Sequence, residues 1–278
     1  MSEDSYIRPP VVAGMFYPEH ANELEQMVGQ LIDGAKPKRH KGGLVGIIVP
    51  HAGFQYSGAT AAYAFALLKK QKKRTVVLVG PSHREYFDGI SVFSGASFKT
   101  PLGAIEIDVE MRSALVKASP YVQSSLAGHR AEHSLEVQLP FLQIAMTDFK
   151  ILPIILGNQK REYCEALGTA LAEVAKEGDV LFVASSDLSH YYTSDAARKL
   201  DTIAIASIEK LDYATLMSDL ETERTEACGG GPIVAVMSAA KKLGADVCDV
   251  LHACNSGDVS GDRDRVVGYV SAALWKIH

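Results

Sequence analysis

Three apolar, strand-like runs of this chain each end in a histidine. They are LVGIIVPHAG (Leu44–Gly53, with His51), TVVLVGPSH (Thr75–His83) and DVLFVASSDLSH (Asp179–His190). Each run is rich in Val, Ile and Leu, and each is too short to span a membrane. Near-continuous apolar runs are typical of strands buried on both faces, and parallel sheets bind ligands beyond the carboxyl ends of their strands. The pattern therefore predicts three imidazoles in one pocket, as a metal site or an acid–base site.

Strand-like segments alternate with amphipathic, helix-like segments along the chain. This alternation predicts an α/β fold with a mostly parallel or mixed central sheet flanked by helices. The predicted helices include Ala59–Lys70, Glu162–Lys176 and Glu132–Met146, and the last of these is expected to be kinked or restarted at Pro140. A strand over Phe149–Leu156 is expected to break at Pro153.

Length and composition indicate one globular unit. The chain has 278 residues, of which 47% are hydrophobic, and it contains no linker-like or repetitive tract. Its formal net charge of −5 argues against electrostatic attraction to nucleic acid or to an anionic membrane. We therefore expect a single domain with neither nucleic acid nor membrane as a partner.

The N-terminus and the cysteines predict a cytoplasmic location. The opening MSEDSYIRPP carries acidic residues and lacks the apolar segment of a secretory signal. Four cysteines occur without a C-x-x-C pair, which does not indicate a disulfide framework. A reducing compartment is consistent with both observations.

Cys228 differs from the other cysteines because it precedes three glycines, in TEACGGGP. A thiol at the start of a helix is expected to have a lowered pKa, since the helix dipole and free N–H groups stabilise the thiolate. Cys228 is therefore a candidate metal ligand or nucleophile. The alternative is a glycine turn that happens to contain a cysteine.

The segment SSDLSH places Asp187 three residues before His190. A carboxylate and an imidazole at this spacing suit acid–base work. The same residues also suit a helix cap, with Ser186 or Asp187 as the N-cap. Both interpretations can hold together, because a cap would fix the loop and leave His190 facing the pocket.

A different metal site is suggested by His129, Glu132 and His133, which spell H-x-x-E-H, the pattern of inverzincin zinc peptidases. This would make the chain a zinc hydrolase with Glu132 as general base. Gly128 argues that a helix begins only near Glu132, which would place His129 off the face. On the competing interpretation, His133 and Glu136 point towards the histidine pocket and support its ligands from behind.

Together these motifs resemble the Memo family, relatives of the class III extradiol non-haem iron dioxygenases. The resemblance covers about Arg8 to Trp275 and is carried by AGMFYP (13–18), VPHAG (49–53), GPSH (80–83), EHSLEVQLPF (132–141), SSDLSH (185–190) and CGGGP (228–232). It implies one Memo-like α/β domain over residues 1–278, of the type found in AMMECR, Memo and radical-SAM systems.

The resemblance also implies a set of site residues. By it, His51, His83 and Cys228 are metal ligands, His190 is the catalytic base and Asp187 lies next to that base. The dioxygenases use a carboxylate where this chain has Cys228, and a softer thiolate favours copper or zinc more than a carboxylate does. The implied cofactor is a metal ion, iron(II) first, with copper or zinc as alternatives.

Two functions follow from the resemblance. One is metal-dependent, dioxygenase-like redox chemistry on a small molecule that the sequence does not identify. The other is a non-catalytic adaptor that binds metal or peptide, because Memo-like proteins are associated with signalling through protein contacts.

Overall fold

The computed structural model describes residues 3–69, 75–175 and 179–278. The helices are α1 (Ala21–Gly34), α2 (Ala59–Ala66), α3 (Val109–Ala118), α4 (Leu139–Ala145), α5 (Arg161–Val174), α6 (Ser194–Glu209), α7 (Tyr213–Glu221), α8 (Gly230–Lys242) and α9 (Ser256–Ser260). The strands are β1 (Ile7–Arg8), β2 (Gly43–Val49), β3 (Thr75–Pro81), β4 (Ile90–Phe93), β5 (Ser97–Thr100), β6 (Gly103–Glu106), β7 (Val122–Ser125), β8 (Lys150–Leu156), β9 (Val180–Ser185), β10 (His190–Tyr192), β11 (Val247–Asn255) and β12 (Val266–Lys276).

A large mixed sheet forms the centre of the fold, which confirms the predicted α/β class. Its strands lie in the order β10-β12-β2-β9-β3-β8-β4-β7, and β11 adds to β12. The neighbours β2, β9, β3 and β8 run parallel, whereas β12 is antiparallel to β2. A small separate sheet joins β1, β5 and β6.

Helices cover both faces of the large sheet because its central strands are apolar on both faces. Val76 and Leu78 of β3 pack with α1, α2 and α4, whereas Val77 and Val79 face α5 and α8. The alternation follows from the two-residue period of a strand. The result is a sheet with a hydrophobic core on each side.

Two elements that contain a proline differ from their predicted form. Residues 130–135 form no helix, and α4 begins only at Leu139, with Pro140 in its first turn, where a missing N–H costs nothing. The predicted break at Pro153 is wrong. Strand β8 continues through Pro153. Its pairing with β4 ends at Ile154, so Pro153 has no β4 partner and its missing N–H breaks no hydrogen bond to that strand.

The observed α2 and α5 agree with the predicted helices, whose expected ends at Lys70 and Lys176 lie outside the described residues. Within the described ranges, no helix combines the length and the hydrophobicity that crossing a bilayer requires.

Candidate metal centre

The adjacent parallel strands β2, β9 and β3 end at the same edge of the sheet. His51 follows the end of β2 by two residues, His83 follows the end of β3 by two, and Asp187 follows the end of β9 by two. Because parallel neighbours share the direction of their carboxyl ends, the chain delivers these side chains to one place. The centroids of the His51 and His83 rings lie 5.1 Å apart.

His51 is buried, and a polar network fixes its protonation. Its Nδ1 lies 2.9 Å from Ser185 Oγ, and this hydroxyl donates its only hydrogen to the carbonyl oxygen of Ser134 at 2.7 Å. Gln138 Nε2 also donates to Ser185 Oγ, at 2.9 Å. The serine oxygen must therefore accept from Nδ1–H, which leaves Nε2 of His51 with a free lone pair. Burial lowers the pKa of His51 well below its usual value, so the ring is neutral.

His83 is anchored by a carboxylate instead. Its Nδ1 lies 2.9 Å from Glu132 Oε1, and its backbone N–H donates to Glu132 Oε2 at 2.6 Å. Burial alone would raise the pKa of Glu132, but the hydrogen bonds and charge interaction with His83 outweigh burial and lower it to about 2. An ionised carboxylate on Nδ1 leaves Nε2 to act as a ligand, the arrangement usual for metal-binding histidines.

Cys228 completes the group from the loop before α8. Its Sγ lies 3.1 Å from His51 Nε2 and accepts a hydrogen bond from the backbone N–H of Asp187 at 3.3 Å. The next residue must be small, because a Cβ at Gly229 would lie 2.3 Å from the carbonyl oxygen of Ser185. The glycine therefore allows the cysteine loop to pack directly on the end of β9.

The expected lowering of the Cys228 pKa is wrong for the protein without a cation. Burial raises the pKa of this thiol above its usual value, and the nearby Asp187 carboxylate raises it further. These two effects exceed the stabilisation by neighbouring N–H groups at the helix start. A bound cation would reverse the balance, because it favours the thiolate.

Candidate ligand atoms of His51, His83 and Cys228 all lie within 4.8 Å of one another. Histidine nitrogen and cysteine sulfur bind zinc at about 2.1 and 2.3 Å, so tetrahedral ligands lie about 3.5 Å apart. The donors are two imidazoles, whose rings are held by Ser185 and Glu132, and one thiol. This set fits a transition-metal ion. A second group, His83, Glu132 and His133, shares His83 with the first.

His133 lies beside the candidate ligands. Its ring centroid is 5.4 Å from that of His51 and 4.8 Å from that of His83, and burial lowers its pKa to about 4. Glu136 does not point into the pocket as expected. Its carboxylate accepts hydrogen bonds from Arg8 and Tyr17, because this fully buried charge needs partners and finds them in the N-terminal segment.

The structure separates the roles predicted for Asp187 and His190. Asp187 Oδ1 accepts from the backbone N–H of His51 at 2.7 Å, and burial raises the pKa of Asp187 to about 7. The pKa of His190 is lowered instead, because burial outweighs the raising effect of the nearby Leu188 backbone. Asp187 therefore holds the backbone of a candidate ligand, and His190 is a neutral imidazole able to accept a proton.

His190 begins a strained strand. Tyr191 has a φ of 68°, and the pairing of β10 with β12 shifts register at this point. Such bulges commonly re-aim side chains next to functional sites. A cavity of about 590 Å³ opens beside His190 and Cys228, and its wall includes Glu223 and Glu226.

The H-x-x-E-H residues do not form the predicted zinc-peptidase site. His129 is buried, and its Nε2 lies 3.1 Å from the carbonyl oxygen of Ser91, away from His133. The segment is not helical, so His129 and His133 do not share a face. Glu132 carries a different role, as the anchor of His83.

Sequence reasoning missed Ser185 and Gln138 as supports of His51, and it gave Glu132 the wrong role. The only local signal for Ser185 was a polar residue at the end of β9, and such residues are also common in turns. The pairing of Glu132 with His83 joins residues 49 positions apart and depends on the tertiary fold.

The comparisons with known proteins agree with this architecture. The family described as Memo-like protein matches residues 8–273. A MEMO1 family protein of Methanosarcina barkeri is 43% identical over 268 residues, covering 95% of this chain and 98% of the relative. One from Aquifex aeolicus is 43% identical over 265 residues, with 95% and 97% coverage. The chain therefore belongs to the Memo family.

A solved structure shares the fold at low sequence identity. It is an uncharacterized protein, JW3007, from Escherichia coli K12, and the two chains superpose with a TM-score of 0.51 at 14% identity. The match covers 84% of this chain and all of the other. At this identity the likeness concerns the fold alone.

Proposed function

We propose that this protein is a metal-dependent redox protein whose ion is held by His51, His83 and Cys228. The observation that carries the proposal is the convergence of two imidazoles and one thiol from three separate loops, with ligand atoms within 4.8 Å of one another. Anchors on both Nδ1 atoms support it, because structural histidines rarely need their Nε2 atoms aimed at one point.

The chain's own residues would divide the work as follows. These residues would hold a redox-active ion, which when bound would supply dioxygenase-like electron transfer between a small molecule and O₂. Ser185 and Glu132 hold the two imidazoles in orientation. His190, neutral because burial lowers its pKa, takes a proton from a substrate, and the adjoining cavity of about 590 Å³ accommodates one of moderate size.

Iron(II) is the first candidate ion, with copper or zinc as alternatives. Two imidazoles and a carboxylate are the usual iron set, and Cys228 stands in place of the carboxylate. The softer sulfur favours copper more than the carboxylate does. The identity of the ion is therefore the first measurement, by elemental analysis of protein purified without added metal.

Turnover is tested by loading the protein anaerobically with iron(II), adding catecholic compounds and admitting O₂. Ring cleavage, followed by absorbance and mass spectrometry, is the expected result. Tight stoichiometric metal binding without any oxidation of the compounds would contradict catalysis and support the adaptor function below.

Cys228→Ser tests the ligand set. We expect iron(II), copper and zinc affinity to fall by at least about 100-fold, since a hydroxyl replaces a thiolate in a buried site. Cys254→Ser is the matched control, because Cys254 is a half-buried free thiol on the edge strand β11 and its Sγ lies 3.1 Å from the Thr60 hydroxyl of α2. Equal metal affinity in both variants would contradict the assignment.

His190→Ala separates proton transfer from metal binding. We expect turnover to fall by about 10²–10⁴-fold while the metal content stays at the wild-type level. Loss of metal in this variant would show that His190 is a ligand rather than a base.

A metal- or peptide-binding adaptor is the second candidate. It is favoured by exposed aromatic residues that follow the site histidines, since Tyr86 is 78% exposed and Tyr191 is 65% exposed. Exposed aromatic side chains are enriched at protein interfaces. On this proposal the partner is a protein or peptide, and the cytoplasmic location remains a prediction of the sequence.

A further inference from the structure

A fully buried arginine ties the N-terminus of the chain to the segment beside the candidate metal centre. Arg8 Nε donates to the carbonyl oxygen of His129 at 2.6 Å, and Nη2 donates to that of Glu132. Its Nη1 donates to Glu136 Oε2 at 2.6 Å, and the guanidinium lies 4.7 Å from the centroid of Phe98. One side chain therefore holds three points of a single segment.

Glu136 closes the network from the other side. Its carboxylate accepts from the backbone N–H groups of Val11 and Val12 at 2.9 and 3.0 Å, and from the hydroxyl of Tyr17 at 2.7 Å. Both charges are completely shielded from solvent, yet each is paired and hydrogen-bonded. A buried pair of this kind is better evidence for a fixed geometry than for stability.

The clamped segment needs an external support because residues 130–135 have no regular secondary structure. The segment carries Glu132. Its Oε1 accepts hydrogen bonds from Nδ1 of His83 and from the backbone N–H groups of His133 and Ser134. Arg8 holds the carbonyl of the same residue, Glu132. A shift of that backbone would move the carboxylate away from His83.

We propose that Arg8 is a positioning residue of the metal centre, acting through Glu132 on the orientation of His83. The inference rests on the proposed function, because it requires that His83 binds an ion. Arginine is suited to the role because Nε, Nη1 and Nη2 each reach a different acceptor, two carbonyls and a carboxylate, whereas the donors of a lysine all lie on one nitrogen.

The test compares Arg8→Lys with Arg112→Lys in the whole protein. Arg112 is also buried, and its Nη1 donates to the carbonyls of Phe93, Ser94 and Gly95 at 3.1, 2.5 and 3.1 Å. It makes none of the contacts with Glu132 or Glu136 that Arg8 makes. Each substitution therefore perturbs a buried guanidinium that bonds three acceptors, but in a different place.

Cobalt(II) is the probe, because its absorption bands report ligand geometry independently of turnover. We expect Arg8→Lys to weaken cobalt(II) binding by about 10–100-fold and to change the visible bands, as loss of support behind a ligand does. Arg112→Lys should keep the wild-type affinity and spectrum, even if its unfolding temperature falls by as much as that of Arg8→Lys. Wild-type affinity and bands in Arg8→Lys, or equal losses in both variants, would overturn the proposal.

Glu136→Gln keeps the proposal testable if Arg8→Lys does not fold. This substitution removes the charge but retains the shape and the acceptor oxygen for Val11 and Val12. We expect a few-fold weaker cobalt(II) affinity and a shifted spectrum. An unchanged affinity and spectrum would overturn the proposal. Failure of the proposed function looks different. Wild-type protein that binds no cobalt(II), or a spectrum unaffected by Cys228→Ser, would overturn the metal centre and the role of Arg8 together.

Discussion

The two imidazoles of the candidate centre have opposite kinds of support. His51 is buried and rests on a neutral network of Ser185, Ser134 and Gln138, whereas the side chain of His83 is 28% exposed and rests on the ionised Glu132. A carboxylate makes an imidazole a stronger donor to a cation than a hydroxyl does. In the proposed metal centre, His51 would fix the position of the ion, and Glu132 would tune the affinity through His83.

The largest expected effect is that of His51→Ala. This variant should lose stoichiometric metal binding, because it removes a ligand from the buried side of the centre, where water cannot readily replace it. Metal content and titration calorimetry measure the effect. His252→Ala is the control, since His252 is a half-buried imidazole bonded to Thr60 and stacked on Tyr63. Metal binding at the wild-type level in His51→Ala would remove the basis of the comparison.

Glu132→Gln should weaken metal binding by about 100-fold, near the upper end for a support behind a ligand. The amide retains an acceptor for Nδ1 of His83 but loses the charge. Competition with a chelator measures the affinity. Glu106→Gln, which removes an exposed carboxylate far from the cluster, is the control and should leave the affinity unchanged. An affinity equal to wild type in Glu132→Gln would mean that the charge on this anchor has no role.

Ser185→Ala should weaken metal binding by about 10-fold, less than Glu132→Gln, because a neutral hydrogen bond is lost. Nitrogen-15 NMR of the metal-free protein should also show His51 as a mixture of tautomers, since the only acceptor for its Nδ1–H is gone. If the serine substitution costs more affinity than the glutamate one, the order proposed for the two supports is inverted.

A separate effect, on folding stability rather than on metal binding, concerns His129, a buried imidazole whose partner is a backbone carbonyl. Burial lowers the pKa of His129 to about 3, against about 6.5 in the unfolded chain. Below pH 6.5 the unfolded chain therefore binds a proton that the folded protein does not, so the free energy of unfolding decreases as the pH falls towards 3. The contribution of this group is about 1.4 kcal/mol per pH unit.

Denaturant titrations of metal-free protein between pH 6.5 and 4.5 measure that slope. His129→Asn should make it shallower, whereas His20→Asn, at an exposed position, should not. An unchanged slope in His129→Asn would show that this histidine does not titrate as its burial requires.

Local sequence was sufficient to predict which candidate ligands come together, but not what supports them. The proximity of His51, His83 and Cys228 was predictable because strand ends and a glycine-rich helix start are local signals that also fix a place in a parallel sheet. The role of Glu132 was not, because residues 130–135 lack the helix that the pattern suggested, and their position depends on Arg8, more than 120 residues away. The raised pKa of Cys228 likewise reflects burial, which has no local signature.

The short strand β10 gives the candidate proton acceptor, His190, a backbone support separate from that of the candidate metal ligands. It is three residues long, and its two pairs with β12 flank the bulge at Tyr191, whereas β2 is held on both sides by β12 and β9. Backbone amides near His190 should exchange with deuterium well before those of β2, since weakly paired segments open first. Repositioning of His190 during a reaction cycle would then leave the ligand geometry undisturbed.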